Sequence, residues 1–309
     1  MAYLKAHHPA EFLAAMCSAG AGFYHVSAYV EEAKRWGIEV RLPSVNHSQM
    51  EYTVEARADA MRPAMRVGLM QVKGLRIETI ADILRAREES GPFRSLEDFV
   101  RRVPVERDEI EALVKCGAFD EVMAMTRPAL LWRWNLLQAA EKGLTRMPTP
   151  RGTLFSDQGQ TGASIPLFPD AQEEELPGAT LEQLCAPNYS AAQKLEYERE
   201  ILEVCVSGHP LDGVARNGEA WSDELENLRG RRVTLIGWVI TFRHVGTKDY
   251  RNMMFVTFED QRGVFEAVLF PEAYKRYGGL VYETRALRVT GRVEASEQIN
   301  CEGLAALKK

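Results

Sequence analysis

Three hydrophobic patterns succeed one another along this chain. In residues 1–40, Tyr3, Leu4, Phe12, Leu13 and Met16 return at helical spacing and gather on one face. Ser27 reads as the N-cap of a second helix running to Trp36. Glu31 and Glu32 lie towards its start and Lys34 and Arg35 towards its end, as the helix dipole favours, and Gly37 is the stop. Leu42-Pro43-Ser44 then imposes an extended connection. Helical spacing resumes over residues 66–120, where two short helices are expected to flank the turn Val72-Lys73-Gly74-Leu75-Arg76. The second carries Ile77, Ile80, Ala81 and Leu84 on one face. Gly91-Pro92 breaks it, Ser95 caps a short helix from Leu96 to Val100, and a last helix, Asp108 to Lys115, ends at Cys116-Gly117. Residues 127–143, with Leu130, Leu131, Trp132, Trp134, Leu136 and Leu137, predict an apolar helix that must pack against something.

The pattern lapses between Thr145 and Gly178, a stretch of Pro, Gly, Ser, Thr and acid that reads as a linker. Inside it sits one apolar island, Ile165-Pro166-Leu167-Phe168-Pro169. A polar helix, Ala191 to Cys205, and a turn at Ser207-Gly208-His209-Pro210 follow. From Arg232 the period becomes two. Val233, Leu235, Gly237, Val239 and Thr241 alternate, as do Phe255, Thr257 and Glu259, and Val264–Phe270 and Ala286–Val293 are further β-rich runs. With a short helix at Pro271–Tyr277 after the third strand and a fifth strand at Ile299–Leu304, the order fits an oligonucleotide-binding (OB) fold. The expected class is therefore a multidomain α + β chain. An all-helical N-terminal region with a helix-hairpin-helix precedes an acidic linker and a C-terminal OB-type β-barrel.

Charge sharpens this picture. The net charge is −6, but residues 229–309 hold 14 Lys and Arg against 9 Asp and Glu, whereas residues 150–228 hold 4 against 15. A basic module thus follows an acidic connector, and phosphate binding needs local rather than global positive charge. The five cysteines are scattered without a CxxC pair, so neither a disulfide framework nor a metal site is expected, and a reducing cytoplasm is the natural setting. No apolar run is long enough for a membrane span, and Lys5, His7, His8 and Glu11 interrupt what would be a signal sequence.

Two constellations point to DNA. A glycine-containing turn between helices aims backbone N–H groups at a phosphate, with Lys73 and Arg76 adding charge around Val72, Gly74 and Leu75. Such a contact grips DNA without reading its sequence. Arg76 stands where an ideal turn of this kind carries a second glycine. In the barrel, Arg243, His244, Lys248 and Arg251 lie on or beside the loop between the first two strands, near Phe242, Phe255, Phe258 and Phe265. Cations interleaved with aromatics suit a single strand, although each phenylalanine alone is more simply barrel core. Leu167-Phe168 is a candidate docking peptide for a partner or for the chain's own domain. No GxxxxGK[ST] loop, GxSxG or close Asp-x-Asp pair is present, and Ser207-Gly208-His209 reads as a turn, so no catalytic residue is assigned.

The segments AYLKAHHPAEFLAAM (Ala2–Met16), YVEEAKRWGIEVRLPSVNHS (Tyr29–Ser48), VGLMQVKGL (Val67–Leu75), GPFRSLEDFVRRV (Gly91–Val103), EALVKCGAFD (Glu111–Asp120) and SGHPLD (Ser207–Asp212) resemble, in order, landmarks of the bacterial DNA polymerase III alpha subunit. The resemblance covers nearly the whole chain. It implies the end of a fingers domain in residues 1–50 and a clamp-binding-like domain with the helix-hairpin-helix in 51–143. A flexible acidic linker in 144–190, a helical connector in 191–228 and an OB domain in 229–309 would follow. It implies that the chain carries neither the N-terminal phosphoesterase-like domain nor the catalytic palm of a DNA-directed DNA polymerase, a nucleotidyltransferase for which magnesium is expected. The chain alone would be inactive and would hold no cofactor. Its partners would be duplex and single-stranded DNA, the sliding clamp through Leu167 and Phe168, and other replisome or translesion subunits. Thr126-Arg127-Pro128 with Leu130-Leu131-Trp132 resembles the error-prone branch, and Tyr197-Glu198 to Asp212 the replicative branch, which leaves the branch open. The competing expectation is a protein-interaction module that recruits the clamp or a mutagenesis partner with little DNA contact.

Overall fold

The computed structural model describes residues 2–20, 22, 24–56, 63–141, 186–246 and 252–307. Leu167 and Phe168 of the apolar island, and Lys248 and Arg251 of the barrel loop, lie outside the described residues.

Helices α1 (Ala2–His7), α2 (Pro9–Ala19) and α3 (Val26–Arg35) open the chain. The cap of α3 is His25, not Ser27: His25 is extended, and its Nδ1 accepts the Ser27 N–H at 3.3 Å. Gly37 ends the segment with φ of 72°, the left-handed conformation a glycine allows. A small sheet follows that periodicity does not predict. It comprises β1 (Val40–Arg41), β2 (Thr53–Glu55) and β3 (Ala64–Arg66), with β3 central, parallel to β1 and antiparallel to β2. Strands of two or three residues are too short to alternate visibly. Arg66 is buried on β3 because Glu55, Glu121 and the Leu42 carbonyl satisfy its guanidinium.

The first helix expected before the hairpin turn is a single 3-10 turn, Leu69–Gln71. It comes directly after β3, and the backbone of Gly68 passes so close to Glu51 that a Cβ would meet its carbonyl carbon at 2.4 Å. Helices α4 (Ile77–Ser90), α5 (Leu96–Arg102), α6 (Arg107–Lys115) and α7 (Arg127–Glu141) follow. Ser95 caps α5 through the Asp98 N–H at 3.1 Å. Phe93, Phe99 and Phe119 meet edge to face at 5.0 Å, and Leu130 and Trp134 supply the burial that the apolar pattern of α7 requires. Helix α8 (Ala191–Ile201) is shorter than the sequence suggests. The buried Glu198 carboxylate accepts the N–H groups of Val206 at 2.7 Å and Ser207 at 2.9 Å, which bends the chain back after Leu202. One continuous core runs from Ala10 to Val204, so α2–α8 and the small sheet pack as one body.

The second core is the barrel: β4 (Arg232–Gly246), β5 (Asn252–Glu259), β6 (Val264–Leu269), α9 (Pro271–Tyr277), α10 (Leu280–Glu283), β7 (Ala286–Ala295) and β8 (Gln298–Ala306). The strands close in the order β4-β5-β6-β8-β7, with only β6 and β8 parallel. A helix after the third strand and closure of β4 on β7 give the OB topology expected from the alternation. Phe258 and Phe265 stack inside at 5.2 Å and are core residues. Gly237 faces them, and a Cβ there would meet Phe258 Cβ and Phe265 Cζ at 2.8 Å. Gly237→Ala is therefore expected to destabilise the barrel by about 1–3 kcal/mol. Denaturant unfolding checks this, and an unchanged midpoint would mean the barrel interior has room to spare.

Candidate nucleic-acid interface

The turn between Leu69–Gln71 and α4 divides its residues by direction. Val72 is buried and Leu75 packs against the core, so neither side chain is available to a ligand. Lys73 and Gly74 are exposed, and Gly74 takes φ of 84° with open space where a Cβ would stand. The Val72, Lys73 and Leu75 N–H groups bond to the carbonyls of Leu69, Ile201 and Val72. The first intrahelical bond of α4 is Ile80 N–H to Arg76 O, so the N–H groups of Ile77, Glu78 and Thr79 lie ahead of it. Arg76 caps α4 by position but not with its side chain. An open glycine turn, an exposed lysine and a helix start without a side-chain cap form one surface that suits a phosphate.

Arg76 serves a different end from the one its position suggests. Its Nε and Nη2 donate to Glu109 at 3.0 and 2.9 Å, its N–H donates to the same carboxylate, and Nη1 meets Glu106 at 2.7 Å. Burial works against the charge on Glu109. The bonds from Arg76, the Glu106 N–H and Thr79 outweigh it and pull the carboxyl pKa down to about 2. Arg76 thus ties the turn to α6. Glu78, exposed in the first turn of α4, further lowers the local positive charge.

On the barrel, register places side chains of β4, β5 and β6 on one outer face. Thr241 stands opposite Thr257 and Arg243 opposite Phe255, and Glu266 lies across from Thr257. The Arg243 guanidinium lies 4.6 Å from the centre of the Phe255 ring, a cation–π contact on a half-exposed aromatic. Phe242 points the other way. It packs against the core and meets Tyr282 edge to face at 4.9 Å, while His244 bonds to the Tyr282 hydroxyl at 2.7 Å. Of the expected barrel contacts, Arg243 and Phe255 come together.

The two bodies meet at a polar junction. On α3, Lys34 Nζ donates to the carbonyls of Cys205 and Gly208, at 2.5 and 2.7 Å, and to Glu31 at 2.7 Å. Its neighbour Arg35 pairs with Glu32 at 3.0 Å and stands 3.8 Å from Glu259 on β5. Asp212 accepts the His209 N–H at 2.7 Å and an amide hydrogen of Gln261 at 3.3 Å, joining connector to barrel. Leu211 packs with Ile236 and Trp238, and Arg199 of α8 covers the Trp238 ring at 5.5 Å.

Residues 37–130 match a helix-hairpin-helix motif family, and residues 233–302 match an OB-fold nucleic acid binding domain. The DNA polymerase III alpha subunit of Saccharopolyspora erythraea is 30% identical over 96% of this chain and 24% of its own length. The error-prone DNA polymerase of Symbiobacterium thermophilum is 31% identical over 95% of this chain and 29% of its own length. The alpha subunit of Bacillus subtilis is 31% identical over 96% and 25%. Over nearly its whole length the chain is thus similar to DNA polymerase III alpha subunits and error-prone DNA polymerases. It spans about a quarter of the length of the curated relatives it matches.

The junction escaped sequence reasoning, since its members lie some 170 residues apart in sequence in the Lys34–Cys205 and Lys34–Gly208 bonds. The one legible signal was a lysine-arginine pair at the end of an amphipathic helix. Two junction groups are held away from their usual ionisation. Burial, with Glu31 nearby, pushes the Glu259 carboxyl up to about 8, partly offset by Arg35 and Lys34. Burial pushes His209 down to about 4, and its Nδ1 accepts the Leu211 N–H. A raised carboxyl stabilises the folded state most below about pH 4.5, and that contribution is lost as pH rises towards 8. A depressed histidine acts at the other end, its contribution being lost as pH falls below its ordinary 6.5. Between about pH 6 and about pH 8.5, Glu259→Gln is expected to lose less melting temperature than the parent chain. Parallel pH profiles would show that Glu259 carries no proton in the docked state.

Proposed function

We propose that this chain holds DNA for a DNA polymerase III alpha-type subunit in replication or translesion synthesis. The hairpin turn grips the duplex backbone at Lys73 and Gly74, and the outer barrel face at Arg243 and Phe255 holds single strand. The observation that supports this best is that a glycine-turn hairpin and an OB barrel, each matching its family, are fastened to one another through Lys34 and Arg35. Two DNA contacts at fixed separation suit the boundary where duplex gives way to template strand. Lys248 and Arg251 would add phosphate contacts from the barrel loop, and Leu167-Phe168 would tether the assembly to a sliding clamp, alongside other replisome or translesion subunits. Magnesium would belong to nucleotidyl transfer, and the DNA-holding role proposed here calls on none. Among the described residues there is no group of three His, Cys, Asp or Glu that could hold a metal ion. No helix among the described residues is long and apolar enough to cross a membrane.

A second reading has one specific observation in its favour. With Arg76 engaged by Glu106 and Glu109, and Glu78 beside it, the hairpin offers little net positive charge. A module that recruits protein partners would tolerate that.

The readings part in a salt series of fluorescence anisotropy with duplex and single-stranded DNA. Lys73→Ala is expected to weaken duplex binding and to flatten the salt slope by about one phosphate contact, whereas Arg76→Ala leaves the slope unchanged. Phe255→Ala is expected to cost about tenfold in single-strand affinity. Absence of binding to both DNAs at low salt would overturn the DNA-holding role and favour the protein-interaction reading. A clamp pull-down that survives Leu167→Ala with Phe168→Ala would remove the tether from that island.

A further inference from the structure

The barrel and the helical body meet over little apolar surface. Among the described residues, Leu211, Ile236 and Trp238 form the one small buried cluster between connector and barrel, whereas each body buries a far larger set for itself. Charged and polar groups hold the rest of the junction. One of them is poorly served: Glu259, at the end of β5, is 1% exposed, and its Oε2 is buried without a hydrogen-bond partner. We propose that the closing of the barrel on the helical body is linked to one proton, which Glu259 takes from solvent as the bodies dock and returns as they part.

The other carboxyls around the junction are supplied with donors. Glu31 takes Lys34 Nζ at 2.7 Å, and Glu32 takes Arg35 Nε and Nη2 at 3.3 and 3.0 Å. Asp212 accepts the His209 N–H and an amide hydrogen of Gln261. Asp260, beside Glu259 and fully buried, accepts the N–H groups of Ser222, Arg262 and Gly263 and the Ser222 hydroxyl, with Arg216 at 3.9 Å. Glu259 is left with Arg35 Nη1 at 3.8 Å, beyond hydrogen-bond reach. Three cations, Lys34, Arg35 and Arg216, thus serve five carboxyls, Glu31, Glu32, Asp212, Glu259 and Asp260. A carboxylate buried without a donor is costly, and a neutral acid is much less so. Where negative charge is in excess, the carboxyl with the fewest donors is the one that stays protonated. Burial and Glu31 push the Glu259 carboxyl up to about 8 against the pull of Arg35 and Lys34, and Asp260 adds to the push.

Parting of the bodies brings water to Glu259, where a glutamate has its ordinary value of 4.5. A value raised in the docked state favours docking fully below 4.5, and that advantage is lost as pH rises through the raised value. Glu259 alone therefore weakens docking about tenfold for each pH unit between about 4.5 and about 8. His209 faces the same groups from the connector. Burial holds it down to about 4, opposed by Asp212 and Asp260 and reinforced by Lys34 and Arg35. Wetted on parting, it regains its proton below its ordinary 6.5, which disfavours docking there and cancels the gain from Glu259. The two groups together leave a plateau below about pH 6.5 and a fall in the docking constant of about thirtyfold between about pH 6.5 and about pH 8. Each core stays folded through this change. What opens is the space between hairpin turn and outer barrel face, whatever either of them binds.

The test is small-angle X-ray scattering of the full chain, without DNA, at about pH 6.5 and about pH 8.5. Leu211→Ala trims the small apolar cluster and brings the docking equilibrium into measurable range beside the parent chain. Its radius of gyration is expected to be larger at the higher pH. Adding Glu259→Gln, a neutral amide of nearly the same shape, is expected to remove that difference. Circular dichroism at both pH values shows that the cores of each variant stay folded. Infrared spectroscopy reads the proton itself. The carbonyl stretch of a protonated carboxyl is expected in the parent chain at about pH 7 and is lost in Glu259→Gln. A radius indifferent to pH in both the parent and Leu211→Ala would overturn the proposal. So would equal opening of Leu211→Ala with and without Glu259→Gln, or infrared spectra that Glu259→Gln leaves unchanged.

Discussion

Lys34 and Arg35, adjacent on the last turn of α3, look in two directions. Lys34 reaches carbonyl oxygens of the connector, and Arg35 faces the Glu259 carboxyl of the barrel. The helical body and the barrel bury separate sets of apolar side chains, so these two residues, with Leu211 packed on Ile236 and Trp238, the Gln261–Asp212 bond and Arg199 over Trp238, join what would otherwise be two separate cores. The ammonium of Lys34 is well supplied, with two carbonyls and the Glu31 carboxylate. The Arg35–Glu259 pair is not. At 3.8 Å it is longer than a hydrogen bond, and Arg35 Nη1 and Glu259 Oε2 are both buried without a hydrogen-bond partner. With the Glu259 carboxyl pushed up to about 8 by burial, the pair contributes little net stability. The junction therefore sets where the barrel sits while leaving the docked state easy to disturb, and the outer face of the barrel inherits its position from it.

The barrel was legible because its strands are long. Strands of six to fifteen residues, with turn signals between them, are long enough to show a period of two over part of their length, and the helix after the third strand points to the OB order. The same method fails on β1–β3, where two or three residues cannot display a period. The buried arginine on β3 is intelligible only once Glu55 and Glu121 are brought alongside. Cap assignment failed at His25 for a related reason: serine is the commoner cap, but an imidazole nitrogen two residues earlier accepts the N–H of Ser27 itself, which places Ser27 inside the helix.

The residues proposed for the candidate site could be read from the sequence; the contacts some of them make could not. Lys73, Gly74, Arg243 and Phe255 stand where their chemistry can be used. Arg76 was assigned to a phosphate because a cation beside a glycine turn suggests one, yet Glu109, 33 positions on, claims it first. Val72 and Leu75 belong to the turn in sequence but to the core in space. Local spacing reports which residues are neighbours along the chain. It is silent about a carboxylate delivered from another helix.

The central claim is that hairpin and barrel are held so that they grip duplex and single strand at once. Its most direct measurement is the affinity for a duplex with a single-stranded overhang, set against the blunt duplex and the single strand alone. Two contacts held at a fixed separation make the second binding event intramolecular. The account expects the overhang substrate to bind at least about a hundredfold more tightly than the better of its two parts. An overhang substrate bound no more tightly than that better part would contradict it, because the two elements would then act independently or only one of them would touch DNA.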